Sequence, residues 1–443
     1  MESRETLQIS KYRQKLKQLN PLRVNGRVTQ VIGLTVESQG PDCKIGDVCE
    51  LYPHFGAEPL LAEVVGFRDY RVLLMPLGDL GAIGPGCDVV NTGEPLTIHV
   101  GDALRGRVLD GLGKPMDGLP LPAGLHKYST SNPPINPLLR PRIREPLSTG
   151  VRAIDGLLTV GKGQRVGIFA GSGVGKSTLL GMIARNTSAD INVIALIGER
   201  GREVMEFLER DLGSDGMARS VVVVATSDQP ALIRIKGAII ATSIAEYFRD
   251  LGLDVMLLMD SVTRYALAER EVGLAIGEPP TTRGYTPSVF ANLPKLLERS
   301  GQGRTGSITA FYTVLVDADD MNEPVADAVR GILDGHIVLE RNLAQKGHYP
   351  AIDVLHSVSR VMDQVASSEQ RQAALNVKRM LSTYREAEDL INIGAYKPGS
   401  NPSIDTALKY IDNIHAFTRQ DTFERSSLSE AVQQLTEQFK ELS

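Results

Sequence analysis

The sequence predicts an α/β protein: a doubly wound parallel sheet, with a small β domain ahead of it and a helical region behind. Three observations carry that prediction. Near-continuous apolar runs alternate with helical stretches from Gly150 onward, short β-type runs fill Leu22 to about Thr92, and the β signal ends after about Arg360. The 443 residues are too many for one core and suit two or three domains.

In chain order, Ile9, Tyr12, Leu16 and Leu19 fall at helical spacing with Lys and Arg between them, and Leu7 lies off that stripe. This predicts a short amphipathic helix over 1–20, stopped at Asn20-Pro21. It packs on its own protein or docks on a partner or membrane surface. The runs VNGRVTQVIGLTVES, VCELYP, AEVVGF and YRVLLMP predict a closed or sandwich-like β domain over 21–93. A third region, 94–365, contains a Pro/Gly-rich connector from Gly111 to Pro146 with SNPPINPLLRPRIREP. Proline at that density excludes regular helix and central strand and predicts an extended surface segment.

The runs RVGIFA (165–170), INVIALIG (191–198), VVVVATS (221–227), VMLLMD (255–260) and ITAFYTVLV (308–316) are the strands of a sheet buried on both faces. A helix is predicted from Ala231 to Leu251, after Pro230. Residues 366–443 read as helical throughout.

Composition removes several function classes. A net charge of -5, 5% aromatics and no Trp disfavour a general grip on nucleic acid. Cys43, Cys49 and Cys87 are odd in number and form no C-x-x-C pair, which predicts a reduced, cytosolic protein with neither disulfides nor a zinc site. The seven histidines show no metal-ligand spacing. The N-terminus lacks the apolar core of a signal peptide, and no stretch reaches the roughly 18 apolar residues of a membrane span. Any membrane association is then peripheral.

The chemistry centres on Ala170-Gly171-Ser172-Gly173-Val174-Gly175-Lys176-Ser177-Thr178, between the RVGIFA strand and the helix STLLGMIAR. Glycines let backbone N–H groups turn inward around phosphate, and the helix N-terminus adds positive potential. Lys176 would neutralise the β- and γ-phosphates, and the Ser177 hydroxyl would ligate Mg²⁺. The strict phosphate-loop pattern has Gly where Ala170 stands, so only its relaxed form is met. Asp260 ends the strand VMLLMD, where a carboxylate suits holding Mg²⁺ and its water. Glu199, in IGERGREV, either polarises the attacking water or joins a surface salt bridge with Arg200, Arg202 and Glu203, and spacing alone leaves both open. Arg360 in SVSR is a candidate arginine finger. Tyr349 in GHYP and Phe423 are candidate aromatics for adenine stacking.

These motifs resemble the catalytic subunits of rotary ATPases and, more closely, the ATPases of type III protein export. The likeness runs from about residue 22 through GRVLDGLGKPMDG, TGVRAIDGLLTVGKGQRVGIFAGSGVGKSTLL, DSVTRYALAEREVGLAIGEPPTTRGYTPSVFANLPKLLERSG and ADDMNEPVADAVRGILDGHIVLER. VNGRVTQVIGLTVESQGP looks most like the flagellar branch. The resemblance implies a RecA-like P-loop core after a small β-barrel. It implies that Gly171 to Thr178 bind the phosphates of ATP with Mg²⁺ on Ser177 and Asp260. It also implies that Glu199 is the catalytic carboxylate, that Arg200 and Arg264 lie in the phosphate region, that Tyr349 stacks on adenine, and that Arg360 reaches a neighbouring subunit's site. Phe423 is a looser match. Arg105 stands where a small apolar residue is expected.

The implied assembly is a homo-hexamer. The implied partners are a stator-like regulator on the N-terminal helix, a central stalk protein, export chaperone–substrate complexes and the membrane export gate, at the inner face of the plasma membrane. A virulence-type secretion ATPase and the catalytic subunit of a proton-driven ATP synthase share the active site. The stretches GERGREV and ADDMNEPVADAVRGILDGH favour export over synthase. A hexameric RNA translocase would want basic and aromatic residues on its N-terminal barrel. A subunit that binds nucleotide without hydrolysing it would not keep Glu199.

Overall fold

A computed structural model describes residues 24–54, 56, 58–316 and 320–439. The predicted helix over 1–20 and the last four residues lie outside them. Two compact units divide at Leu96/Thr97.

The first unit is a closed antiparallel barrel. Its strands are β1 (Gly26–Ile32), β2 (Thr35–Gln39), β3 (Asp47–Tyr52), β4 (Leu60–Arg68), β5 (Arg71–Pro76) and β6 (Asp88–Pro95), in the order β1-β2-β5-β4-β3-β6. β6 pairs back onto β1, so the barrel leaves no free edge. The interior is apolar, with Val28, Val36, Leu51, Val64, Leu74 and Val89 buried. The free thiols of Cys49 and Cys87 are buried there too, and burial pushes the Cys49 thiol up to about 12. These cysteines act as small core hydrophobes.

The second unit is built on a nine-stranded sheet. Its strands are β7 (Val108–Asp110), β8 (Arg165–Ala170), β9 (Ile191–Ile197), β10 (Ser220–Ala225), β11 (Asp254–Asp260), β12 (Gly301–Gln302), β13 (Ser307–Leu315), β14 (Gly335–Leu339) and β15 (Ile352–Ser359). The order is β15-β14-β8-β13-β11-β9-β10-β7, with β12 on β13. β15 and β12 pair antiparallel and the rest are parallel. The five strands read from apolar runs are present. β7, β12, β14 and β15 carry no such run. His336, Asp353, His356 and Ser357 interrupt the last two: His356 faces solvent, whereas Asp353 and Ser357 are buried and bonded, Ser357 accepting from the Val338 N–H at 3.0 Å.

The principal helices are α1 (Lys176–Asn186), α2 (Ala231–Asp250), α3 (Val262–Ala275), α4 (Ser368–Asn392), α5 (Pro402–Thr418) and α6 (Leu428–Phe439). Ser261, Ser367 and Asn401 cap α3, α4 and α5 with side-chain oxygens, satisfying first-turn N–H groups. Helices α4 to α6 share one hydrophobic cluster with the sheet. Val377, Phe417, Leu435 and Phe439 join Ile154, Leu180 and Ile194 in it. Gly156 permits the closeness, because a Cβ there would stand 2.7 Å from the Phe417 ring.

The Pro-rich connector is largely exposed and irregular, as predicted. It contains one short strand, His126–Ser129, which pairs with Thr97–Val100. Arg140 pins it by donating to the Glu298 carbonyl at 2.6 Å. Arg105 also has a role here. It bonds Asp102 at 2.6 Å and the Asp190 carbonyl at 3.1 Å, and lies 5.5 Å over the buried Phe248 ring. A guanidinium there seals an edge of the core.

Candidate active site

Charged side chains converge at the C-terminal ends of parallel strands, where α/β sheets bind ligands. The chain leaves β8 at Ala170, turns through Gly173 (φ 78) and Gly175 (φ 90), and enters α1 at Lys176. Those left-handed conformations need glycine. Val174 is buried and anchors the loop, while Ser172 and Gly173 are exposed. Ala170 is the buried last residue of β8, in register with Leu315 and Leu339, so its methyl group belongs to the sheet core. That accounts for the departure from the strict Gly pattern. Ser177 and Thr178 occupy the first turn of α1, half-buried.

Asp260 ends β11 and is 5% exposed. Lys176 Nζ lies 2.5 Å from its Oδ1 and 3.7 Å from Glu199 Oε1. Thr313 Oγ1 donates to the same Asp260 oxygen at 2.8 Å. Glu199 follows β9 after Gly198 (φ 70), where a Cβ would stand 2.7 Å from Arg264. Glycine at 198 therefore lets Glu199 and Arg264 share one small space. The Nε of Arg264 is buried and has no hydrogen-bond partner.

The electrostatics follow from this packing. Burial works against the Lys176 ammonium, yet the carboxylates of Asp260 and Glu199 outweigh it and raise its pKa. Burial, then the Asp260 charge, pushes Glu199 up to about 7 against the pull of Lys176. A carboxyl poised near neutrality is suited to proton transfer at physiological pH.

Beside the loop, on the α1 side, a cavity of about 560 Å³ is lined by Gly173, Gly175, Thr178, Tyr349, Gln420 and Asp421 among others. Tyr349 is 45% exposed, and its ring lies 3.4 Å from the place a Cβ would take on Gly175. Phe423 differs from the expectation. Its ring is 67% exposed, stands 5.1 Å from the Arg185 guanidinium, and is not part of the cavity lining, where its neighbours Asp421 and Thr422 stand. Arg200 is also outside the cluster, exposed and paired with Glu203 at 3.3 Å.

Arg360 lies far from its own phosphate loop. Its N–H donates to Asp334, and the Asp334 N–H donates to Arg165 at the opposite end of β8. Ala170 is five residue steps along the strand from Arg165, about 16 Å at roughly 3.3 Å a step.

The beta-barrel domain of the ATP synthase alpha/beta family matches residues 28–93, and the family's nucleotide-binding domain matches 150–359. The chain belongs to the ATP synthase alpha/beta family. Residues 366–437 match the C-terminal domain of the type III secretion ATPase EscN. The ATPase is 60% identical to the flagellum-specific ATP synthase of Bacillus subtilis (strain 168), over 93% of this chain and 94% of that one. It is 52% identical to the type 3 secretion system ATPase of Xanthomonas euvesicatoria, over 93% of each. Its fold matches the assembled ATPase EscN in complex with its central stalk EscO from enteropathogenic E. coli. That match has a TM-score of 0.86 and 48% identity, and covers 93% of this chain and 99% of that one. The chain is accordingly an ATP-hydrolysing enzyme.

Sequence reasoning on this ATPase did not reach Thr313 or the segment Arg419 to Thr422. Thr313 lies inside an apolar run that gives no sign of a polar contact, and nothing periodic marks 419–422.

Proposed function

We propose that this ATPase is the motor subunit of a flagellar type III protein export apparatus, coupling ATP hydrolysis to unloading and delivery of export substrates. The observation that carries the catalytic reading is Lys176 held between Asp260 and Glu199, beside the Tyr349 cavity. The 60% identity to the flagellum-specific enzyme of Bacillus subtilis supports the flagellar assignment, while the type 3 secretion system ATPase of Xanthomonas euvesicatoria, at 52%, stands level with the flagellum-specific enzyme of Treponema pallidum.

The loop Gly171 to Thr178 wraps the phosphates, and Lys176 neutralises the β- and γ-oxygens. The donor set fits Mg²⁺. A hydroxyl and a carboxylate are hard oxygen ligands, the donor type Mg²⁺ takes beside substrate phosphates. Ser177 and Asp260 would hold the ion, which when bound neutralises charge on the phosphates. Glu199 orients the attacking water and accepts its proton. The unpartnered Nε of Arg264 supplies a donor for an anion. Tyr349 stacks on adenine. Arg360 acts on a neighbouring subunit, because on its own chain it stands at the far end of the sheet. Activity then requires a formed interface, which fits a homo-hexamer.

The partners proposed are a central stalk, a stator-like regulator on residues 1–20, chaperone–substrate complexes and the membrane export gate. No described helix is long and apolar enough to cross a membrane, and we place the chain in the cytoplasm, held peripherally at the flagellar base. The deciding experiment replaces the flagellum-specific enzyme of Bacillus subtilis with this chain. Restored motility is expected, and lost again with Lys176→Ala. An active, expressed enzyme that leaves the cells non-motile would turn the assignment toward the virulence-type reading.

A further inference from the structure

In the cavity wall lies a buried side-chain amide with every polar atom engaged. Gln420 is 3% exposed. Its Oε1 accepts from the Arg152 N–H at 2.8 Å, and its Nε2 donates to the carbonyls of Gly150 at 2.9 Å and Glu424 at 3.0 Å. Its own N–H donates to the Tyr349 carbonyl at 2.9 Å. One residue thus ties together three pieces of chain remote in sequence: the turn that opens the nucleotide-binding core, the aromatic platform, and the segment after α5.

The segment is gripped from both sides. Arg152 donates through Nε to the Phe417 carbonyl at 3.2 Å and through Nη2 to the Arg419 carbonyl at 2.5 Å, and it pairs with Glu424. Arg185, near the end of α1, donates to the Thr422 carbonyl at 2.5 Å. A buried amide costs free energy unless all its groups are satisfied, so an apolar side chain would fill this space at lower risk. What a fully bonded amide adds is position. A methionine would keep the volume but give up the three side-chain bonds, leaving the wall to find its own distance from Tyr349.

We propose that Gln420 is a positioning residue for the base end of the nucleotide cavity, setting the gap between the 419–422 wall and the Tyr349 ring. The inference rests on the reading that adenine occupies this cavity.

The test compares wild type, Gln420→Met and Tyr349→Ala, each confirmed folded by thermal melting. The steady-state KM and kcat for ATP are read beside the competitive Ki of inorganic tripolyphosphate, which has phosphates and no base. Gln420→Met should raise KM for ATP about tenfold, keep kcat within about twofold, and leave the tripolyphosphate Ki unchanged. An unchanged KM overturns the proposal. So does a joint rise of KM and Ki, which would mean general damage to the site. If Tyr349→Ala leaves KM unmoved, adenine is not in this cavity and the inference falls with that reading. If only Gln420→Met is silent, the cavity reading stands and Gln420 alone is excluded. Should Gln420→Met fail to fold, Gln420→Glu, which keeps the acceptor for Arg152, takes its place under the same criteria.

Discussion

The two ends of the proposed nucleotide site are built differently. At the phosphate end, Lys176, Glu199 and Asp260 project from the ends of parallel strands or the helix that follows, are mostly buried, and hold one another by charge. At the base end, an open cavity is walled by Tyr349 and by chain running from Arg419 to Thr422, positioned by hydrogen bonds to backbone N–H and carbonyl groups. The first end is rigid because the sheet is rigid. The second depends on a segment that follows the C-terminal helix α5, so it can respond to whatever moves those helices.

Breaking the phosphate end should have the largest effect. Lys176→Ala should bring ATP turnover to background, and Glu199→Gln should lower kcat about 10⁴-fold, both in proteins that remain folded by circular dichroism. Normal turnover in purified Glu199→Gln would remove that residue from its role. The two should differ in stability. Lys176→Ala strands two buried carboxylates and lowers the melting temperature, whereas Glu199→Gln removes a charge that burial disfavours and does not.

Arg360→Ala should keep nucleotide binding and lose about 10³-fold of assembly-stimulated turnover. Mixing it with Lys176→Ala should recover part of the activity, because some interfaces then pair an intact loop with an intact arginine. Co-assembled rings with no recovery would show that the arginine does not act across the interface.

The phosphate end should also titrate. Glu199 must be ionised to accept a proton, and burial and the Asp260 charge raise its pKa to about 7. kcat/KM should therefore fall as pH drops below about 7. The stability sign is opposite. The unfolded carboxyl titrates near 4.5, so the folded state holds its proton more tightly, and stability is lost as pH rises from about 4.5 to about 7. Glu199→Gln should flatten that slope. A kcat/KM profile level down to pH 5 would dismiss Glu199 as the titrating base.

The contrast between the two ends also explains what was legible in the sequence. A buried strand ending in a charged residue is visible as an apolar run with Asp260 or Glu199 at its close, and the glycine spacing of 171–175 states its own turn. The barrel, the parallel sheet and the helical tail follow from the same periodicities. The base end has no such grammar. Gln420 sits in HAFTRQDTF with nothing to separate it from surface polarity, and the three partners of its side chain are more than 250 residues away or within a single turn. β14 and β15 carry no plain apolar run because His336, Asp353, His356 and Ser357 break it, His356 at the solvent and Asp353 and Ser357 inside, bonded to neighbouring groups.

The smallest expected effect is the sharpest test of the base end. Tyr349→Ala should raise KM for ATP about tenfold, since base–aromatic stacking contributes roughly 1–3 kcal/mol. Phe423→Ala should change it less than about twofold. The Phe423 ring lies against Arg185 on the outside of the wall, an exposed cation–π contact worth about 0.5–1 kcal/mol, and the Thr422 carbonyl that Arg185 also holds survives the substitution. A tenfold rise in Phe423→Ala would mean that the wall swings this ring inward once nucleotide is bound, and that the base end closes on its ligand while the phosphate end stays fixed.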